Sequence, residues 1–114
     1  MKIRVMNYRL HPELEVTGQL YHRLLLLGID AHLEVRLESS YHRSNSMRAD
    51  IAILDKNKKI TSVIECKRFG KKIGENTRQA RAYREFVKES GARMFYVNSQ
   101  ETLESCVKSL GEPD

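Results

Sequence analysis

Between residues 12 and 27, Leu14, Leu20, Tyr21, Leu24, Leu25 and Leu27 recur at helical spacing, and Gly28 supplies a C-terminal stop. The other side of that helix carries Glu15, Gln19 and His22, a polar stripe able to look onto a site. The period then shortens to two. Over residues 29–37, Leu33, Val35 and Leu37 alternate with Glu34 and Arg36, the pattern of a half-buried strand, and residues 39–47 form a polar loop. Residues 48–55 and 60–68 are rich in isoleucine and valine and read as two strands joined by a four-residue hairpin loop, Lys56-Asn57-Lys58-Lys59. A basic, glycine-flanked loop covers residues 70–74. Asn76 or Thr77 then caps a helix reaching about Ser90, with Ala80, Tyr83, Phe86 and Val87 inward and Gly91 at its end. A strand over residues 93–98 and a helix over 101–110, with Leu103, Cys106, Val107 and Leu110 inward, complete the chain.

The order is helix, three strands, helix, strand, helix, which predicts an α/β fold. The first three strands form an antiparallel meander, and the helical crossover sets the fourth parallel to the third, giving a mixed four-stranded sheet flanked by helices. At 114 residues the expectation is one domain, 1–114. The hairpin also fixes a register. If Asp55 faces Ile60 across the loop, facing residue numbers sum to 115, so Asp50 faces Glu65 with both side chains on one face. Lys67 joins that face, and Ile64 and Cys66 point into the core.

Composition narrows the partners. Twenty Lys and Arg against 15 Asp and Glu give a formal charge of +5, which favours a polyanion. The longest apolar run, residues 24–27, is far below the roughly 20 residues of a membrane span, and no signal-peptide pattern is present, so a soluble cytoplasmic protein without a membrane partner is expected. Cys66 and Cys106 have no zinc-site spacing and read as thiols in a reducing compartment. His11, His22, His32 and His42 show no HxH or HExxH spacing, and Ser39, Ser40, Ser44 and Ser46 lack a nucleophile elbow.

Two carboxylates and an ammonium on one short hairpin are unusual chemistry. At a separation of about 4 Å and an effective dielectric near 20, two carboxylates repel by roughly 4 kcal/mol, and one lysine offsets one charge. A hard divalent cation would balance the rest, leaving positions for water and phosphate. The bland alternative is a solvent-facing Glu-X-Lys with an intrahairpin ion pair, a common triplet. What separates the two is the context: an Asp 15 residues upstream on the paired strand, followed by a basic helix.

With Arg48-Ala49-Asp50-Ile51-Ala52-Ile53 and Val63-Ile64-Glu65-Cys66-Lys67-Arg68 in this arrangement, the sequence resembles the PD-(D/E)XK nuclease superfamily, with Ala49 where the name motif has proline. It looks most like the minimal members, the VRR-NUC domains and the Holliday junction resolvases. The resemblance implies a restriction-endonuclease-like αβββαβ core, with Asp50 and Glu65 as metal ligands, the Cys66 carbonyl as a further ligand, and Lys67 positioning the nucleophile. It also implies an acid on helix one, for which Glu15 is the choice and Glu13 the alternative, and a glutamine beside the metal, which Gln79 matches. The implied cofactor is Mg²⁺, with Mn²⁺ as substitute.

Arg43, Arg48, Arg68, Lys71, Lys72, Arg78, Arg81 and Arg84 surround this constellation in sequence; the first six are the candidate nucleic-acid contacts, and Arg81 and Arg84 equally suit a solvated face. The expected function is a Mg²⁺-dependent endonuclease hydrolysing DNA phosphodiester bonds, structure-selective toward branched DNA, without a small-molecule cofactor, and homodimeric so that two sites serve two strands. The alternatives are a non-catalytic nucleic-acid-binding module on the same fold and a sequence-specific restriction or homing nuclease.

Overall fold

The computed structural model describes residues 12–37, 47–72 and 77–111. Helix α1 (Pro12–Leu26) leads into strand β1 (Ala31–Arg36) through Gly28, whose φ of 78° lets the chain leave the helix left-handed. Strands β2 (Arg48–Leu54) and β3 (Ile60–Cys66) follow, then α2 (Arg78–Ser90), β4 (Arg93–Val97) and α3 (Gln100–Gly111). The sheet order is β1-β2-β3-β4, antiparallel except for the parallel β3 and β4 pair, so the meander and the crossover both form as expected. This is an α/β fold with a mixed, open four-stranded sheet. No described helix is long and apolar enough to cross a membrane.

The sheet is covered on both faces. On one face, Val16, Leu20 and Leu24 of α1 and Leu103, Cys106 and Val107 of α3 pack on Ala31, Ile51, Ile53, Ile64, Cys66 and Val97. On the other, Ala82, Tyr83 and Phe86 of α2 pack with Leu37, Met47, Ala49, Ala52 and Val63. Helix α2 starts at Thr77, whose side chain accepts a hydrogen bond from the Ala80 amide at 3.0 Å, and ends on left-handed Gly91.

The inward face of α1 differs from the one expected. Its buried stripe is Val16, Leu20 and Leu24, each one turn from the next, while Leu14, Leu25 and Leu27 are exposed. An i, i+4 row needs only three apolar residues to dock a four-turn helix, and the extra leucines obscure that row in the sequence. Consequently Glu15, Gln19 and His22 face solvent rather than a site. Leu20→Ala, at a position with no exposure, should lose about 2–5 kcal/mol of stability in urea denaturation. Leu14→Ala, at a 52% exposed position, should change it by less than about 0.5 kcal/mol.

The hairpin turn is also tighter than expected. The Asp55 amide bonds the Lys59 carbonyl at 2.9 Å, and the Asp55 carboxylate accepts from the Asn57 and Lys59 amides. Leu54 therefore faces Ile60, one residue off the expected register. Thr61 is then an extra residue on β3, and the pairing beyond it, Ile53 with Ser62 through Ile51 with Ile64, returns to the expected sum.

Next to Ile51 the first two strands turn over. Ala31 and Ile51 belong to the core under α1, yet Val35 and Ala49, at even separations along the same strands, pack in the core under α2. Regular alternation forbids that. The exchange falls between the partner pairs Leu33 with Ile51 and Val35 with Ala49, where Glu34 lies across from Asp50, and Glu34 has a left-handed φ of 55°. Asp50 thus sits at a twist in the sheet.

Candidate active site

Asp50 near the start of β2 and Glu65 at the end of β3 meet as the hairpin register requires. The Asp50 carboxylate accepts a hydrogen bond from the Cys66 amide at 2.7 Å, which pins it against β3. Burial pushes the Asp50 carboxyl up to about 7, the Cys66 amide works against the rise, and the adjacent Glu65 adds to it. Glu65 is itself only 4% exposed. Lys67 approaches it with Nζ 3.3 Å from Oε2. Burial works against the Lys67 cation, but Glu65, with smaller help from Glu13 and Asp50, overrides this and raises its pKa above the ordinary lysine value. The three side chains share one environment.

Tyr83 of α2 closes the site from above the sheet. Its Oη lies 2.7 Å from the Arg48 carbonyl and 2.9 Å from Glu65 Oε1, and its ring meets Tyr96 edge-on with centroids 6.4 Å apart. One phenolic proton serves two acceptors, so Tyr83 ties β2 and β3 together at the residues that flank the site. Burial, and then the Glu65 charge, push the Tyr83 phenol up, so it remains a donor. Tyr83→Phe should cost about 1–3 kcal/mol, because a buried carboxylate oxygen and a carbonyl lose their partner. Thermal denaturation checks this, and an unchanged Tm would show that the hydroxyl holds neither group.

Glu13, not Glu15, is the α1 acid brought to the site. It lines a cavity of about 420 Å³ together with Thr17, Glu34, Asp50 and Arg68, and its carboxylate lies 3.8 Å from Lys71 Nζ. Two residues along a helix is a rotation of about 200°, so Glu13 and Glu15 cannot share a face. Glu15 lines neither described cavity and projects to solvent, so it is not brought to Asp50 and Glu65. The usable signal was Glu13 and Thr17 flanking the Val16, Leu20, Leu24 row; Thr17 Oγ1 donates to the Glu13 carbonyl at 2.9 Å.

On the other side of Glu65 a cavity of about 200 Å³ is lined by Lys67, Lys71, Lys72, Gln79, Tyr83 and Tyr96 among others. Gln79 therefore shares this cavity with Glu65, while Asp50 borders the other one. Arg68, Lys71 and Lys72 border the two cavities and are exposed. Arg48 is exposed and contributes its carbonyl to Tyr83, whereas Arg78, the first residue of α2, lines neither cavity. Arg43 lies outside the described residues. Cys66 turns its side chain into the α1 core, where burial pushes its thiol up to about 12, so only its main chain can serve the site.

The donor set suits a hard cation held partly by water. Among the described residues no three His, Cys, Asp or Glu side chains gather closely enough to hold an ion by themselves. Two carboxylates with main-chain oxygen and water are what Mg²⁺ accepts, since it keeps several of its waters. The Asp50 carboxyl, held far above its ordinary value by burial and by Glu65, would be stabilised in its charged form by such an ion. Comparison of the chain with protein-family models, with curated proteins and with solved structures gave no match.

Proposed function

We propose that this chain is a Mg²⁺-dependent endonuclease of the PD-(D/E)XK type, built on a restriction-endonuclease-like core and hydrolysing DNA phosphodiester bonds, with branched DNA as a structure-selective target. The observation that carries the reading is the meeting of Asp50 and Glu65 from adjacent antiparallel strands, with Lys67 3.3 Å from Glu65, on a hairpin covered by α2. A pure binding module has no need to hold two like charges together.

Asp50, Glu65 and the Cys66 carbonyl would hold the ion, and Mn²⁺ would substitute. When bound, it acidifies a water and offsets phosphate charge. Lys67 is placed to donate a hydrogen bond to the attacking water and to face the scissile phosphate. Glu13 takes the part expected of Glu15, bordering Asp50 from α1. Gln79 stands at the rim of α2, while Arg48, Arg68, Lys71, Lys72 and Arg78 supply cations for the flanking phosphates. A homodimer would bring two such sites to two strands, and a DNA substrate together with two free buried thiols goes with a cytoplasmic location.

Titration calorimetry with Mg²⁺ and Mn²⁺, run beside plasmid and branched-DNA cleavage, tests the reading on the wild type. Binding and metal-dependent cleavage are expected. A protein that binds neither ion and cuts nothing beyond the background of Lys67→Ala overturns it.

A further inference from the structure

The cavity of about 200 Å³ beside Glu65 is smaller than the roughly 300–1,000 Å³ sites that enclose drug-sized ligands, so it takes one ring or one phosphate. Its wall chemistry is specific. Lys71 and Lys72 approach from the segment after β3, Gln79 from the first turn of α2 and Tyr96 from β4. Tyr96 is the direct partner of Glu65 across the parallel pair, on the outermost strand, which sets its ring next to the carboxylate. The perpendicular contact with buried Tyr83 fixes that ring. Cations for a phosphate, an aromatic surface for a base, and an amide offering both donor and acceptor to a base edge are the parts that a single nucleotide uses.

Resting on the nuclease reading above, we infer that this cavity receives the base of one unpaired nucleotide next to the scissile phosphate, so that the preferred branched DNA is one that carries an unpaired strand, end or flap. A base within a duplex is stacked and paired and enters such a cavity only by leaving the helix. Stacking on Tyr96 serves any base, because every base has a π-face, so the selection is for an unpaired strand and not for sequence.

Fluorescence anisotropy on Asp50→Asn, with a labelled single-stranded DNA and a blunt duplex of the same sequence, tests the cavity apart from catalysis. The single strand should bind about tenfold or more tighter, and Tyr96→Leu in that background should weaken it about 5- to 150-fold while Tyr96→Phe retains it. Gln79→Ala, an exposed helix position that folding tolerates, should weaken single-strand binding about 2- to 12-fold and leave duplex binding unchanged. Equal binding of the two DNAs, unaffected by Tyr96→Leu and Gln79→Ala, overturns the inference even if the wild type cuts DNA. If the Tyr96 and Gln79 effects hold but the wild type cuts nothing with Mg²⁺ or Mn²⁺, the nucleotide cavity stands and the nuclease reading falls.

Discussion

The Asp50→Asn variant is expected to melt higher than wild type at pH 8 without divalent cation, and to lose Mg²⁺ binding and cleavage altogether. The two effects have opposite sign and one cause. In the metal-free protein Asp50 and Glu65 are a buried like-charged pair, relieved in part by Lys67. Asparagine keeps an oxygen for the Cys66 amide and gains an amide group that can donate toward Glu65, so repulsion is exchanged for a hydrogen bond. A metal, however, needs the charge that the substitution removes. A surface carboxylate of purely structural use would show neither effect.

The pH dependence follows from the same pair. The Asp50 carboxyl titrates near 3.8 in an unfolded chain and is raised to about 7 in the folded one, so between these values the folded state holds a proton that the unfolded state has released. Stability therefore is fully present below pH 3.8 and is lost as pH rises through 7. For a carboxyl still partly open to water, solvent screening halves the unscreened figure to about 2 kcal/mol. Metal-free wild type should lose roughly two thirds of this, about 1 kcal/mol, between pH 5 and 8, Mg²⁺ should restore it, and Asp50→Asn should be flat over that window. Chemical denaturation at both pH values decides; a wild type equally stable at both, with or without Mg²⁺, sinks the account of the pair.

How much of this was legible in the sequence depends on which interactions are local. The α2 helix was readable end to end because Thr77, its apolar positions and Gly91 are all local signals. The meeting of Asp50 with Glu65 was readable too, though the turn was not. The Asp55 side chain captures two amides and shortens the loop register, and Thr61 then restores it, two changes that cancel before the site is reached. The choice of Glu15 failed for a different reason. Leucine occupies so many α1 positions that spacing alone does not say which row docks, and the sheet decides in favour of Val16, Leu20 and Leu24. Tyr96 carried no local mark of function, since its place beside Glu65 comes from the parallel register of two strands separated by a helix. The left-handed Glu34 is likewise invisible to pattern, because glutamate gives no sign of the backbone it will adopt.

Lys67→Met should lower kcat by about 10²- to 10⁴-fold, the range for removing a group that handles a proton or stabilises charge in the transition state. Methionine preserves the stem that the partly buried lysine packs, so the loss is one of charge and donor rather than of shape. Metal affinity should survive, since Lys67 is not a ligand. Without metal the same variant should be less stable than wild type by about 1–3 kcal/mol, because Glu65, 4% exposed, loses its cation at 3.3 Å while Asp50 still repels it. Added Mg²⁺ should recover most of that stability without recovering kcat. The double variant Asp50→Asn with Lys67→Met closes the cycle: removing one negative and one positive charge from a single cluster should cost less than the Lys67→Met change alone. If the double variant is instead the least stable of the three, Lys67 contributes through packing and not by balancing the carboxylates. If Lys67→Met cuts DNA at the wild-type rate, the lysine has no part in the chemistry, and the case for this hairpin as an active site would rest on its two acids alone.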